Sequence, residues 1–254
     1  MCAICGCSGD DHHHSHSHSH PHDHDHHSHH DPSPRSLVAI ERDVLAKNDR
    51  LAAQNRARLR ELDVVAINFL SSPGAGKTTL LERMIRDIGS STVIRVIEGD
   101  QATDRDAQRI RAAGARAVQV NTGAGCHLDA AMVASAITDV DPPRGALLAV
   151  ENVGNLVCPA LFDLGEQAKV VVASVTEGDD KPSKYPFMFR AGHVTLLNKV
   201  DLLAHVSFDV AAFEQRVKSV NPAARVIPVS ATRGDGLEAF YAWVREQMTG
   251  VATA

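Results

Sequence analysis

From residue 64 onward, short apolar runs alternate with stretches in which apolar residues recur three or four positions apart. The runs are rich in β-branched residues and too apolar to face water, the pattern of strands buried in a parallel sheet. They predict one strand from Val64 and others at Thr92–Ile97, Arg116–Val120, Ala146–Val150, Val170–Ser174, Val194–Leu197 and Val226–Val229. The helical period between them predicts helices at Thr78–Asp87, Thr103–Ala113, Leu128–Thr138, Phe208–Val220 and Leu237–Met248. This alternation predicts an α/β fold, a mostly parallel sheet flanked by helices. An earlier stripe of Leu37, Ile40, Val44, Leu45, Leu51 and Leu59 makes Arg35–Leu62 helical, packed on the domain or on a second copy.

Ligands of such sheets bind outside the carboxyl ends of the strands. Polar residues collect at those ends here, in Glu98-Gly99-Asp100, Glu151-Asn152, Asn198-Lys199 and Ser230-Ala231. The first strand runs into a turn, Val64 to Thr79 reading VVAINFLSSPGAGKTT. That is a phosphate-binding loop, G-x-x-x-x-G-K-[ST], with Ser71 in place of the first glycine. Backbone N–H groups across Gly74, Ala75, Gly76, Lys77, Thr78 and Thr79 would point at a β-phosphate, aided by the positive end of the following helix. Lys77 would reach the β- and γ-phosphate oxygens, and the Thr78 hydroxyl would hold Mg²⁺.

The base is read from Asn198-Lys199-Val200-Asp201, an N-K-x-D after a strand. A carboxylate at Asp201 accepts two hydrogen bonds from guanine N1–H and its exocyclic amine, a pair adenine does not offer. Asn198 would bridge to the phosphate loop and the Lys199 stem would cover the base. Ser230-Ala231 would offer a backbone N–H to the guanine carbonyl. The expected nucleotide is therefore GTP. Where D-x-x-G is common, this chain has Glu151-Asn152-Val153-Gly154. Glu151 would hold Mg²⁺ directly or through water, and the Gly154 amide would sense the γ-phosphate. Asp100 is a second candidate near the metal and the attacking water. No glutamine or arginine is placed as an obvious catalytic finger, so slow intrinsic turnover is expected.

Composition divides the chain. Met1–Ser33 opens MCAICGC, holds twelve of the fifteen histidines, and carries five of the 31 acidic residues with no Lys or Arg. The rest balances 26 acidic against 26 basic side chains, which argues against nucleic acid as the main partner. Nothing is apolar enough over 18 residues to span a membrane. The absence of a signal-like start and an odd count of five cysteines point to a reduced, cytoplasmic protein. Three units are expected: a metal-binding tail at 1–33, disordered without ligand, a helix at 34–62 and a GTP-binding domain at 63–250.

The remaining chemistry is for soft metals. Imidazoles interleaved with Asp make a dense field of donors. Cys2, Cys5 and Cys7 form a tighter thiolate set, which the amine of Cys2 would complete after loss of Met1 in a flat geometry suited to Ni(II). Cys126-His127 follows a Gly123-x-Gly125 turn, and Cys158 stands seven positions after Glu151. Three such donors leave an open position for water or for a second copy, and Zn²⁺ is an alternative occupant.

MCAICGC, the His-rich run, SSPGAGKTT, GAGCHLD, ENVGNLVCP and NKVD together resemble the hydrogenase nickel-incorporation GTPases, the HypB family. The resemblance covers essentially the whole chain. It implies GTP hydrolysis coupled to nickel delivery into the large subunit of a [NiFe]-hydrogenase, with an accessory nickel-maturation protein as partner. It also implies a homodimer formed or tightened by GTP, with Cys126, His127 and Cys158 at the interface. Cys2, Cys5 and Cys7 match the family's high-affinity nickel motif and the His run its storage tract. The alternatives are a nickel or zinc buffer with a vestigial GTPase body, and a sister metallochaperone for urease or a cobalamin enzyme.

Overall fold

The computed structural model describes residues 37–100, 104–123 and 125–251. Cys2, Cys5, Cys7 and the His-rich run lie outside the described residues.

The chain runs α1 (Leu37–Glu61), β1 (Val65–Ser71), α2 (Lys77–Ile88), β2 (Ile94–Asp100), α3 (Arg105–Ala112), β3 (Arg116–Asn121), α4 (Ala130–Val140), β4 (Leu147–Glu151), α5 (Cys158–Leu161) and β5 (Ala168–Ser174). It continues through α6 (Lys181–Lys184), α7 (Pro186–Ala191), β6 (Val194–Asn198), a 3₁₀ turn (Val200–His205), α8 (Val210–Val220), β7 (Arg225–Pro228) and α9 (Leu237–Val251). Among the described residues seven strands form one sheet in the order β3-β2-β4-β1-β5-β6-β7, with every pairing parallel. The phosphate-loop strand β1 is central, and all seven of its residues are buried.

Both faces of β1 are covered, so its side chains alternate between two apolar layers. Val65, Ile67 and Phe69 point to the layer with α2 and α9, where Phe69 meets Phe240 edge-on at 6.3 Å. Val64 and Ala66 point to the layer with α1 and α4. A third cluster under α7 and α8 completes the core. α1 packs on α4, hence on the domain. Its inner face is Leu45, Asn48, Ala52, Asn55 and Leu59, whereas Val44, expected on that stripe, is half exposed.

Several boundaries differ from expectation for local reasons. α4 starts at Ala130 because the Asp129 carboxylate accepts the Met132 amide, and α8 starts at Val210 because Asp209 does the same for Ala212. β2 continues through Glu98 to Asp100 because Asp100 pairs with Asn121 of β3. Cys158, for which no helix was expected, opens the short helix α5, followed by Pro159 at a position where its missing N–H costs no hydrogen bond. Among the described residues no helix is long and apolar enough to cross a membrane.

Candidate functional site

The carboxyl ends of β1, β2 and β4 open on a cavity of about 510 Å³, lined by the phosphate loop, Glu98–Asp100, Asp106, Arg109, Glu151–Gly154 and Lys199. Gly76, the residue before α2, has φ 101°, which L side chains avoid, and a Cβ there would stand 2.6 Å from Asn198 Nδ2. Ser71 serves in the first-glycine position because it is the last, extended residue of β1. Its hydroxyl donates to Ser72 O at 2.6 Å and accepts from Lys77 Nζ at 2.7 Å. Burial lowers the pKa of Lys77, and surrounding carboxylates, Glu151 first, oppose that. Ser72 is held in turn by Glu177 and by Lys181, whose Nζ donates to it at 2.9 Å. Ala75 is fully buried and enters the site through its backbone carbonyl.

Two carboxylates face each other across adjacent strands. Glu98 of β2 is the register partner of Glu151 of β4, and both are nearly inaccessible to solvent. Thr78 donates its hydroxyl to Glu151 Oε1 at 2.7 Å. The second oxygen of each carboxylate is buried without a hydrogen-bond partner. Burial, and then Glu151, pushes Glu98 up to about 8; burial pushes Glu151 up to about 7, against the pull of Lys77 and Thr78. Unpaired buried oxygens beside a threonine hydroxyl fit a divalent cation such as Mg²⁺. Asp100 lines the same cavity.

Sequence reasoning placed Glu98 at a strand end without giving it a role, and it missed Arg109. Glu98 lies two positions before Asp100, so both belong to one face of β2, a spacing that was visible. Arg109 lines the cavity from α3 and donates to Glu82 at 2.9 Å, Asp106 at 3.1 Å and Thr79 Oγ1 at 3.2 Å. No local signal marks it, because packing of α3 on α2 puts it there.

At the base end, Asn198 Nδ2 donates to Ala75 O at 3.0 Å, and its Oδ1 accepts the Ala231 amide at 3.1 Å. Lys199 has φ 63°, uncommon for a side chain of this size, and its Nζ reaches Gly74 O at 2.8 Å. Ser230 Oγ donates to Asp201 Oδ1 at 2.6 Å, which fixes the carboxylate. The amides of Ser230 and Ala231, expected to face a base carbonyl, have intramolecular acceptors in Asp235 O and Asn198 Oδ1.

Beside this cavity the ligand atoms of Cys126, His127 and Cys158 lie within 4.8 Å of one another. Both cysteines are thiols, and Cys126 Sγ is 3.5 Å from His127 Nδ1. The His127 ring lies 3.9 Å from that of Phe162, centroid to centroid. Burial holds the His127 pKa below its usual value, which favours the neutral, ligating form. Two sulfurs and an imidazole in reach of one point fit a soft or borderline cation. Cys158 is tied back by Asn155, whose Oδ1 accepts the amides of Val157 and Cys158 at 2.8 and 3.3 Å. Gly154 presses on the phosphate loop, and a Cβ there would stand 3.0 Å from Pro73 N. The structure thus brings Glu151, Gly154 and Cys158 onto one connecting ribbon between the two sites.

Residues 65–228 match the family described as CobW/HypB/UreG, nucleotide-binding domain. The hydrogenase maturation factor HypB of Rhizobium leguminosarum bv. viciae is 55% identical over 212 residues, which is 84% of this chain and 71% of that protein. Among solved structures, the hydrogenase maturation factor HypB of Archaeoglobus fulgidus has TM-score 0.75 and 41% identity, covering 80% of this chain and all of that one. HypB of Helicobacter pylori, solved in complex with nickel, has TM-score 0.75 and 37% identity, covering 80% of this chain and 96% of that one.

Proposed function

Because the chain belongs to the CobW/HypB/UreG family, and within it to the hydrogenase maturation factors of HypB type, we propose that it hydrolyses GTP to drive delivery of nickel to a [NiFe]-hydrogenase. The observation that carries this reading is one of connectivity. Glu151, which accepts the Thr78 hydroxyl, and Cys158, which stands by Cys126 and His127, are seven residues apart on one ribbon.

In this reading the phosphate loop cradles the triphosphate, Lys77 leaves Ser71 for the β- and γ-phosphate oxygens, and Asp201, held by Ser230, reads guanine. Thr78 and Glu151, with Glu98 alongside, would hold Mg²⁺, which neutralises charge on the phosphates when bound. Gly154 feels the γ-phosphate through its contact with the loop. Nickel is the cargo, taken by Cys126, His127 and Cys158, with Zn²⁺ able to use the same donors. Three donors leave a position for a second copy, which supports a homodimer assembled or tightened by GTP. The hydrogenase large subunit receives the metal, an accessory nickel-maturation protein assists, and the thiols and histidines of the N-terminal segment hold a reserve of it.

Ligand binding at two linked sites is reciprocal, so metal on the thiolates alters nucleotide turnover. Steady-state GTP hydrolysis with and without Ni(II) in excess of what the N-terminal thiols and histidines hold, in the wild type and in Cys158→Ala, tests this. The wild type responds to nickel and the variant does not; equal response in both defeats the coupling.

A further inference from the structure

α1 lies against the segments that follow both halves of the Cys126/His127/Cys158 cluster, and its buried face carries two asparagines where apolar residues would be ordinary. Asn48 and Asn55 are almost fully buried. Asn48 Oδ1 accepts the Ala130 amide at 2.9 Å, and its Nδ2 donates to Asp163 O at 2.7 Å. Asn55 Nδ2 donates to Ala130 O at 2.8 Å and to Leu164 O at 3.0 Å. Each asparagine therefore bridges the same two segments. Ala130 follows His127 by three residues; Asp163 and Leu164 follow Cys158 by five and six.

Two further contacts fix the same junction. Arg56 holds the Asp163 carboxylate at 2.7 Å. Gly165, at φ 94°, lets the turn approach α1 so closely that a Cβ would stand 2.7 Å from Ala52 O and from Asn55 Cβ. A buried amide survives in a core only with its partners satisfied. Here those partners are backbone groups of two segments remote in sequence, so the bonds tie the segments to each other through the helix.

We infer that Asn48 and Asn55 are positioning residues for the soft-metal cluster: α1 is a brace that sets the separation between the Cys126-His127 half and the Cys158 half. They touch neither cation nor nucleotide and act through Ala130, Asp163 and Leu164. The inference rests on the reading of the three donors as a metal site.

The test uses the full chain with Cys2, Cys5 and Cys7 replaced by alanine, so that Cys126 and Cys158 are the sole thiolates and a thiolate-to-metal charge-transfer band reports this site. Ni(II) is titrated into that parent and into Asn48→Asp and Asn55→Asp, and GDP affinity and Tm are measured beside it. Asn48→Asp keeps the acceptor for the Ala130 amide and loses one donor; Asn55→Asp loses both donors. The expected result is a graded loss, about threefold to tenfold in Ni(II) affinity for Asn48→Asp and more than tenfold with a shifted band for Asn55→Asp, consistent with one and two charge-opposed bonds. GDP affinity stays within about twofold, as expected for a site not shared with the nucleotide. An unchanged band and affinity in both variants overturns the inference. So does a parallel fall of nickel affinity, GDP affinity and Tm, which would mark a merely structural role. A parent without a thiolate band removes the metal site itself, and the inference with it.

Discussion

Asn152 Oδ1 accepts the backbone amide of Leu128 at 3.1 Å, which ties the residue after Glu151 to the residue after His127. The same oxygen accepts its own loop's Val153 amide at 3.0 Å, and Nδ2 faces Asn68 Oδ1 at 3.4 Å. Asn152→Ala would leave the buried Leu128 amide without this acceptor, at a cost of about 1–3 kcal/mol. The expected outcome is a chain that still binds GDP and Ni(II) but whose GTP hydrolysis no longer changes when nickel is added. Turnover measured over a nickel titration decides it, and a full nickel response in the variant would exclude this tie as the connection.

Gly154 has no room for a side chain, because Pro73 N, Cα and Cγ all lie 3.0 to 3.1 Å from where a Cβ would sit. The neighbour is proline backbone and ring, which yields little. Gly154→Ala should therefore push the ribbon off the phosphate loop. A displacement of about 1 Å near reacting atoms costs on the order of 10²-fold. The expected result is a kcat for GTP reduced by that order with GDP affinity nearly unchanged, and single-turnover kinetics would show it. Normal turnover would mean the ribbon need not close on Pro73.

Asp201 presents a carboxylate oriented by Ser230. Asp201→Asn keeps the size and the acceptor for Ser230 while turning one guanine acceptor into a donor. The loss of a charged hydrogen bond, about 1.5–3 kcal/mol, should weaken GDP by roughly 10- to 100-fold. Xanthosine diphosphate, with a carbonyl in place of the exocyclic amine, should gain. Competition binding with the two nucleotides tests this, and an unaltered guanine preference would place base reading elsewhere.

The carboxyl pair gives a pH dependence of definite sign. Ordinary glutamates titrate near about 4.3, whereas Glu98 and Glu151 are raised to about 8 and about 7. Between those limits the folded chain retains protons that the unfolded chain has released. Stability contributed by the protonated pair is therefore present at low pH and is lost as pH rises through about 7 to 8. His127, lowered by burial, acts in the opposite sense but only below its usual value of about 6.5, so measurements above that pH isolate the carboxyl pair. Without divalent cation, Tm should fall from about pH 6.5 to about pH 8 and level off above, and Glu98→Gln should flatten the slope. Mg²⁺ with GDP should flatten it in the wild type. A slope that Glu98→Gln leaves intact would assign it to other groups.

Much of this architecture is legible in the sequence because its strands are continuous β-branched runs and its site residues sit where those runs stop. The phosphate loop, the Asn198–Asp201 segment and the Cys126-His127 pair each carry a local pattern. Glu98 was less legible because its partner Glu151 is 53 positions away, and the strand register alone makes them neighbours. α5, α6 and α7, four to six residues long and each with a proline at its start, are too short to show a helical period. Asn48 and Asn55 were hidden for another reason. A polar residue on a helix is ordinarily solvated, and nothing local to α1 reveals that Ala130, Asp163 and Leu164 await them. Asp129 and Asp209 are of a residue type that caps helices, a local signal that the expected starts at Leu128 and Phe208 left unused, and they account for both late beginnings.

Asn198 takes the carbonyl of Ala75 with one end and the amide of Ala231 with the other, hard against Gly76. The end of the β1–α2 loop and the turn after β7 are thereby geared to a single amide group. Removing that amide would disturb the loop at Ala75 and the turn at Ala231 together, whereas a change confined to Asp201 leaves the bridge between them standing.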